Sequence, residues 1–169
     1  MGGKNIIKMD DLKQCFENMG FTNVKTYIQS GNVIFNSHQE NKDLLTPMIE
    51  TKLSERFAYN SKIALFTQQE METILEEAPE NFGKETSVYK YDVVFLKHSL
   101  IPENVIQKVK IRKDVDFVAF GKYALYFSRI IEKVSQSYLS KIILLPEYKA
   151  MTIRNWNTTQ KLFFILKEM

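Results

Sequence analysis

Residues 154–158, Arg-Asn-Trp-Asn-Thr, put a planar cation, two amides and an indole into five consecutive positions. Amide side chains can pair with a base edge, and an aromatic face can stack on a base for about 1–3 kcal/mol. The same residues also serve a structural account. Asn157 can cap the helix that follows, Trp156 can pack between the two halves of the chain, and Arg154 can close a salt bridge. A second group is Gly2-Gly3-Lys4-Asn5, ahead of a helical pattern. Backbone N–H groups of such a turn can surround a phosphate, with Lys4 as counter-charge and the helix N-terminus adding about half a positive charge. The longer Gly-x4-Gly-Lys-Ser/Thr form of a phosphate loop is absent, so a tight glycine turn explains the group equally. A third lies in TYIQSGNVIF (26–35), where Gln29, Ser30, Gly31 and Asn32 separate two strand-forming runs. As a hairpin they account for Gly31 and Asn32, and leave Gln29 and Ser30 as candidate ligand contacts. The candidate binding residues are therefore Gly3, Lys4, Asn5, Gln29, Ser30, Asn32, Arg154, Asn155, Trp156 and Asn157.

Catalytic signals are thin. His38 and His98 sit in no motif, and one cysteine with two distant histidines does not make a zinc site. Cys15 falls in the set Leu12, Cys15, Phe16, Met19, which reads as one apolar helix face and makes it a buried hydrophobe rather than a nucleophile. Glu70, Glu72, Glu76, Glu77 and Glu80 read as a solvated helix face. Ser30 lacks the Gly-x-Ser-x-Gly elbow. No catalytic residue, metal or cofactor is assigned.

The chain has 169 residues, 44% hydrophobic and 25% charged, enough for one moderate domain or two small ones. No apolar run approaches the roughly 20 residues of a membrane span, and the N-terminus lacks the order of a secretory signal. A cytoplasmic protein with no membrane partner is expected. Net charge is +3 but unevenly placed: residues 1–102 carry 11 Lys/Arg against 14 Asp/Glu, and residues 103–169 carry 12 against 6. A basic second half suits an acidic partner such as nucleic acid, or an attraction between the halves.

The elements that must position these residues alternate at short spacing. Residues 9–19 predict a helix stopped by Gly20, then strands near 23–29 and 32–36, a helix within 41–57 despite Pro47, and a strand at 62–66. Thr67 and Glu70 form a capping-box pattern that opens the next helix, which Pro79 ends. The stretch 79–90, PENFGKETSVYK, reads as a linker. After it come a strand at 91–96, a helix opened by Pro102, a hairpin of strands at 115–120 and 122–128, a helix near 137–145, a strand at 148–153 and a last helix from Asn157. The second half thus runs β-α-β-β-α-β and the first α-β-β-α-β. That order predicts an α+β fold, a tandem pair of ferredoxin-like (βαββαβ) subdomains with the first strand of the first unit missing. The expected domains are 1–78 and 91–169, joined by 79–90. Codons upstream of Met1, or another chain, would supply the absent strand.

Three stretches, GGKNIIKMDDLK, TYIQSGNVIF and MTIRNWNTTQKL, together resemble a bacterial family catalogued as domain of unknown function 1697, with the same order and spacing along the whole chain. Members of that family usually begin with an apolar strand and an Arg-Gly-Ile-Asn-type turn, and this chain begins inside that turn. The resemblance implies the tandem ferredoxin-like arrangement and brings no established activity, cofactor or catalytic residue. This sequence departs from many relatives just before Tyr138, where they carry a Gly-Arg-rich turn and it has EKVSQS. The function expected is non-catalytic binding of a nucleotide or single-stranded nucleic acid, on a surface joining 29–32, the basic second half and 154–158. The alternatives are an enzyme acting on a small phosphorylated or nucleotide substrate, with Lys4 and Arg154 as anion holders, and a self-associating protein.

Overall fold

The computed structural model describes residues 7–169. These described residues are mixed α+β with two antiparallel sheets, one of two strands and one of four. It forms two compact units, Met1–Leu65 with Phe164–Met169, and Phe66–Phe163.

In the first unit, helix α1 (Met9–Asn18) turns Leu12, Cys15 and Phe16 inward at the i, i+3, i+4 spacing read from the sequence. It stops where Gly20 takes φ +88°, a left-handed conformation that favours glycine, and donates its N–H to the Glu17 carbonyl at 2.9 Å. Strands β1 (Thr22–Tyr27) and β2 (Asn32–Asn36) pair antiparallel, with an irregular register between Thr22 and Lys25. Helix α2 (Lys42–Phe57) is capped by the Asn41 side chain, which accepts the Asp43 N–H at 2.9 Å. It continues past Pro47 and buries Leu45, Ile49 and Leu53. The rings of Phe16, Phe21 and Phe35 meet at centroid distances of 4.3 to 5.8 Å and fill the space between α1 and the hairpin.

The strand expected at 62–66 has no ladder among the described residues. Side chains of α2 take N–H groups a ladder would use: Ser61 donates to Ser54 Oγ at 3.0 Å and Ile63 to Glu50 Oε1 at 2.9 Å. Ile63 and Leu65 still lie half-buried against the core of this unit.

The second unit opens with α3 (Gln68–Glu76). Its expected capping box is present, Thr67 Oγ1 accepting the Glu70 N–H at 3.2 Å and Glu70 accepting the Thr67 N–H at 2.8 Å. Then follow β3 (Tyr89–Leu96), α4 (Pro102–Ile106), β4 (Asp116–Phe120), β5 (Ala124–Ile130), β6 (Met151–Asn155) and α5 (Trp156–Lys167), of which the part to Phe163 belongs here. The sheet order is β4-β5-β3-β6 with every neighbour antiparallel, so β3, the first strand of the four, is central. Tyr91 to Leu96 are buried without interruption, as a strand covered on both faces requires. One face carries Val94, Leu96, Leu125 and Phe127 against Val105 of α4 and against Leu139 and Ile142. On the other, Tyr126 donates its hydroxyl to the Ile74 carbonyl at 2.7 Å.

Three expectations shift. The helix near 137–145 is a chain of short 3-10 turns, Ile131–Gln136, Leu139–Leu144 and Pro146–Ala150. Only Leu139 and Ile142 of the middle turn are buried, and their i, i+3 spacing is the one a three-residue turn stacks on one face. Helix α5 starts at Trp156, with Asn155 rather than Asn157 accepting at its start. The units divide between Leu65 and Phe66, so α3 and 79–90 lie inside the second unit. Phe82 of that segment packs edge-on against Tyr91, Tyr126 and Trp156, which holds the segment to the sheet.

Cys15 is buried on α1, and desolvation pushes its thiol above the ordinary value against the opposing influence of Arg56 and Lys52. An aromatic disulfide reagent at pH 8 is therefore expected to modify native protein slowly and urea-unfolded protein at once. Equal rates in the two states would show that this helix face is open.

Candidate functional site

The 28–31 loop closes the β1–β2 hairpin between Tyr27 and Asn32, which face each other in register. Gly31 sits at φ +71° and Ile28 at φ +51°, the latter a conformation that a β-branched residue rarely adopts. Asn32 is buried, and its amide donates to the Tyr27 carbonyl at 3.1 Å and to Ser30 Oγ at 2.7 Å. Gln29 donates its amide to the Ile7 carbonyl at 2.6 Å, tying the loop to the chain ahead of α1. The polar groups of this loop thus bond its own backbone and its near neighbours. Gly3, Lys4 and Asn5 lie outside the described residues.

In the second unit, β6 runs into α5 through residues 154–157. Arg154 donates to Thr152 Oγ1 at 2.9 Å and to the Ile153 carbonyl at 2.8 Å. Burial pushes its guanidinium below the ordinary value, with Tyr148 opposing. Asn155 Oδ1 accepts the Asn157 N–H at 2.8 Å, leaving the Asn157 side chain exposed. Trp156 is only 7% exposed. Its indole lies edge-on to Phe82 at 5.0 Å, within the second unit. The strand aromatics Tyr91, Phe95, Tyr126 and Phe127 are also buried, which keeps their rings from stacking on a base. Desolvation, aided by Glu77, raises the Tyr126 phenol far above its usual value.

A different part of the second unit holds exposed cations beside an exposed ring. Tyr138 is 36% exposed. Lys141 Nζ lies 3.8 Å from its ring centroid and the Arg112 guanidinium carbon 5.8 Å. The ring quadrupole attracts both charges. The backbone beneath is anchored, because Asp116 Oδ2 accepts the N–H of Arg112 at 2.9 Å and of Tyr138 at 2.8 Å. Asp116 is itself buried. Sequence reading noted the basic second half but passed over this constellation. Two signals pointed to it: the run KVKIRK at 108–113 and the Tyr138-x-x-Lys141 spacing. Lys108 of that run is spent on Glu147, whose carboxyl it holds below the ordinary range.

Two further polar contacts lie elsewhere in the second unit. Arg129 pairs with Asp92 across β5 and β3, both largely buried. His98 Nε2 lies 3.2 Å from Glu70 Oε1, and its ring neighbours Phe66 and Tyr123. Glu70 is already engaged at the start of α3. Among the described residues no group of three His, Cys, Asp or Glu side chains could hold a metal ion, and no helix is long and apolar enough to cross a membrane.

The sequence profile of a family described as protein of unknown function, DUF1697, matches residues 1–126. No curated protein matches the chain. Among solved structures, the conserved bacterial protein SP0830 from Streptococcus pneumoniae is 28% identical with a TM-score of 0.85, over 98% of this chain and 92% of that one.

Proposed function

The chain belongs to the DUF1697 family, and we propose that it is a non-catalytic binding protein for nucleotides or single-stranded nucleic acid, built on a tandem pair of ferredoxin-like subdomains. The strand order of the second unit supports the architecture, since a βαββαβ unit places its first strand between the third and fourth. The first unit offers the α-β-β-α part of the same order.

One observation carries the binding reading. Lys110, Arg112, Lys113 and Lys141 are exposed, and none has a carboxylate partner among the described residues. Uncompensated cations on one half of a chain attract a polyanion and leave its counterions free to be released. The exposed amides of Asn155 and Asn157 are candidate base contacts in this reading. Arg154 shapes the backbone that would present them, while Gln29, Ser30 and Asn32 shape their own hairpin in the first unit. Trp156, buried, supports rather than stacks.

Titration of a fluorescein-labelled oligothymidylate tests the reading. With four phosphate contacts the slope of log affinity on log salt is about −2.8, so affinity falls about fiftyfold between 50 and 200 mM salt. Failure of both the oligonucleotide and a mononucleotide to bind at 50 mM salt would overturn it. Because Trp156 is enclosed, its emission should stay within a few nanometres of its free-protein maximum on binding.

A further inference from the structure

We propose that Arg112 and Lys141, gathered on the ring of Tyr138, form a two-cation clamp for the phosphates of single-stranded nucleic acid. The inference rests on the binding reading above and gives it a location. Two positive charges that share one ring repel each other, and the ring offsets only part of that cost. A phosphate between or beside them removes the remainder, whereas an added base would have to compete with Lys141 for the ring face. The heads are exposed and the backbone under them is fixed by the buried Asp116 carboxylate, so the charges are presented from a rigid base. Lys110 and Lys113, on the same connection as Arg112, extend the positive track, with Asp114 its one exposed acid. Lys108 is withheld from it by Glu147.

An anionic lipid surface would use the same charges. Ile143 and Leu144, beside Lys141, are 56% and 76% exposed. The helical turn that carries them has six residues, and its other apolar side chains Leu139 and Ile142 are committed to the core. That leaves too small an apolar face for an interfacial helix, which favours nucleic acid.

The test uses the full chain carrying R112E and K141E, with K25E and K84E together as a control of equal charge change. The clamp variant should lose at least tenfold in oligothymidylate affinity at 50 mM salt, and its salt slope should fall by about 1.4, or 0.7 for each lost phosphate contact. The control should keep its slope within about 0.3. All of these side chains are exposed, so thermal midpoints should agree with the parent. Y138L, which keeps both cations and removes the ring, should weaken binding a few-fold at an unchanged slope. If the parent binds and the clamp variant binds with an unaltered slope, the clamp is wrong while the binding reading stands. If the parent binds no oligonucleotide, the nucleic-acid part of the reading fails and the clamp with it. Binding to phosphatidylserine vesicles alone would overturn both.

Discussion

Gly83→Ala is expected to lower the stability of the second unit by roughly 2–5 kcal/mol, read in urea from the emission of Trp156, the one tryptophan of the chain. Two costs combine. Gly83 sits at φ +83°, where an alanine Cβ costs about 1–2 kcal/mol. The added Cβ would also lie 2.2 Å from both Cδ1 and Nε1 of Trp156, and overpacking a filled core typically costs about 1–3 kcal/mol. Gly20→Ala separates the two. Gly20 has a similar φ of +88°, but nothing lies within 4 Å of its would-be Cβ, so only the backbone cost remains. A Gly83→Ala loss no larger than that of Gly20→Ala would mean that the indole moves aside easily. Trp156 would then be free enough to meet a ligand, and the assignment of its ring to the core would fail.

That comparison bears on why one candidate residue was misplaced. From sequence, a tryptophan between two asparagines after an arginine suits base recognition, and local pattern supplies nothing against it. What decides its place is Phe82 and Gly83, more than 70 positions earlier, in a stretch whose Pro, Gly and polar residues read as a linker. Long-range packing of that kind leaves no periodic trace. The capping box at Thr67 and Glu70, the apolar face of α1 and the glycine stop after it were all legible, because each is fixed by neighbours within a turn. The hairpin around Gly31 was legible for the same reason, although Asn32 serves as the first, buried residue of β2 and not as a turn residue. The basic–aromatic cluster lay between these cases. Its residues were visible as a basic run and as an aromatic three positions from a lysine. Their meeting depends on Asp116, a carboxylate at the start of an apolar strand whose partners are backbone groups 4 and 22 residues away.

The largest single loss in the second unit is expected from Asp92→Ala. Asp92 and Arg129 form an ion pair on the face of the sheet that also carries Val94, Leu96, Leu125 and Phe127, with side chains only 8% and 14% exposed. Removing the carboxylate leaves a guanidinium in apolar surroundings, and breaking such a pair from one side typically costs about 3–5 kcal/mol. Arg129 Nε already lacks a partner, as does Oδ1 of Asp116, which stands opposite Arg129 in the β4–β5 register. Asp116 is therefore the nearest alternative carboxylate in sequence register, and it can recover part of the loss. The expected order of stability in urea is parent above Asp92→Ala, and Asp92→Ala above the combination of Asp92→Ala with Asp116→Asn. Replacing both partners, as Asp92→Leu with Arg129→Met, should return to within about 1 kcal/mol of the parent or exceed it, since desolvating two charges offsets most of their attraction. If that double replacement is as unstable as Asp92→Ala, the pair contributes more than neutralisation of a buried charge. Specific hydrogen-bond geometry between β3 and β5 would then be what holds this end of the sheet. An Asp92→Ala loss below about 1 kcal/mol would place the pair in water and remove the argument altogether.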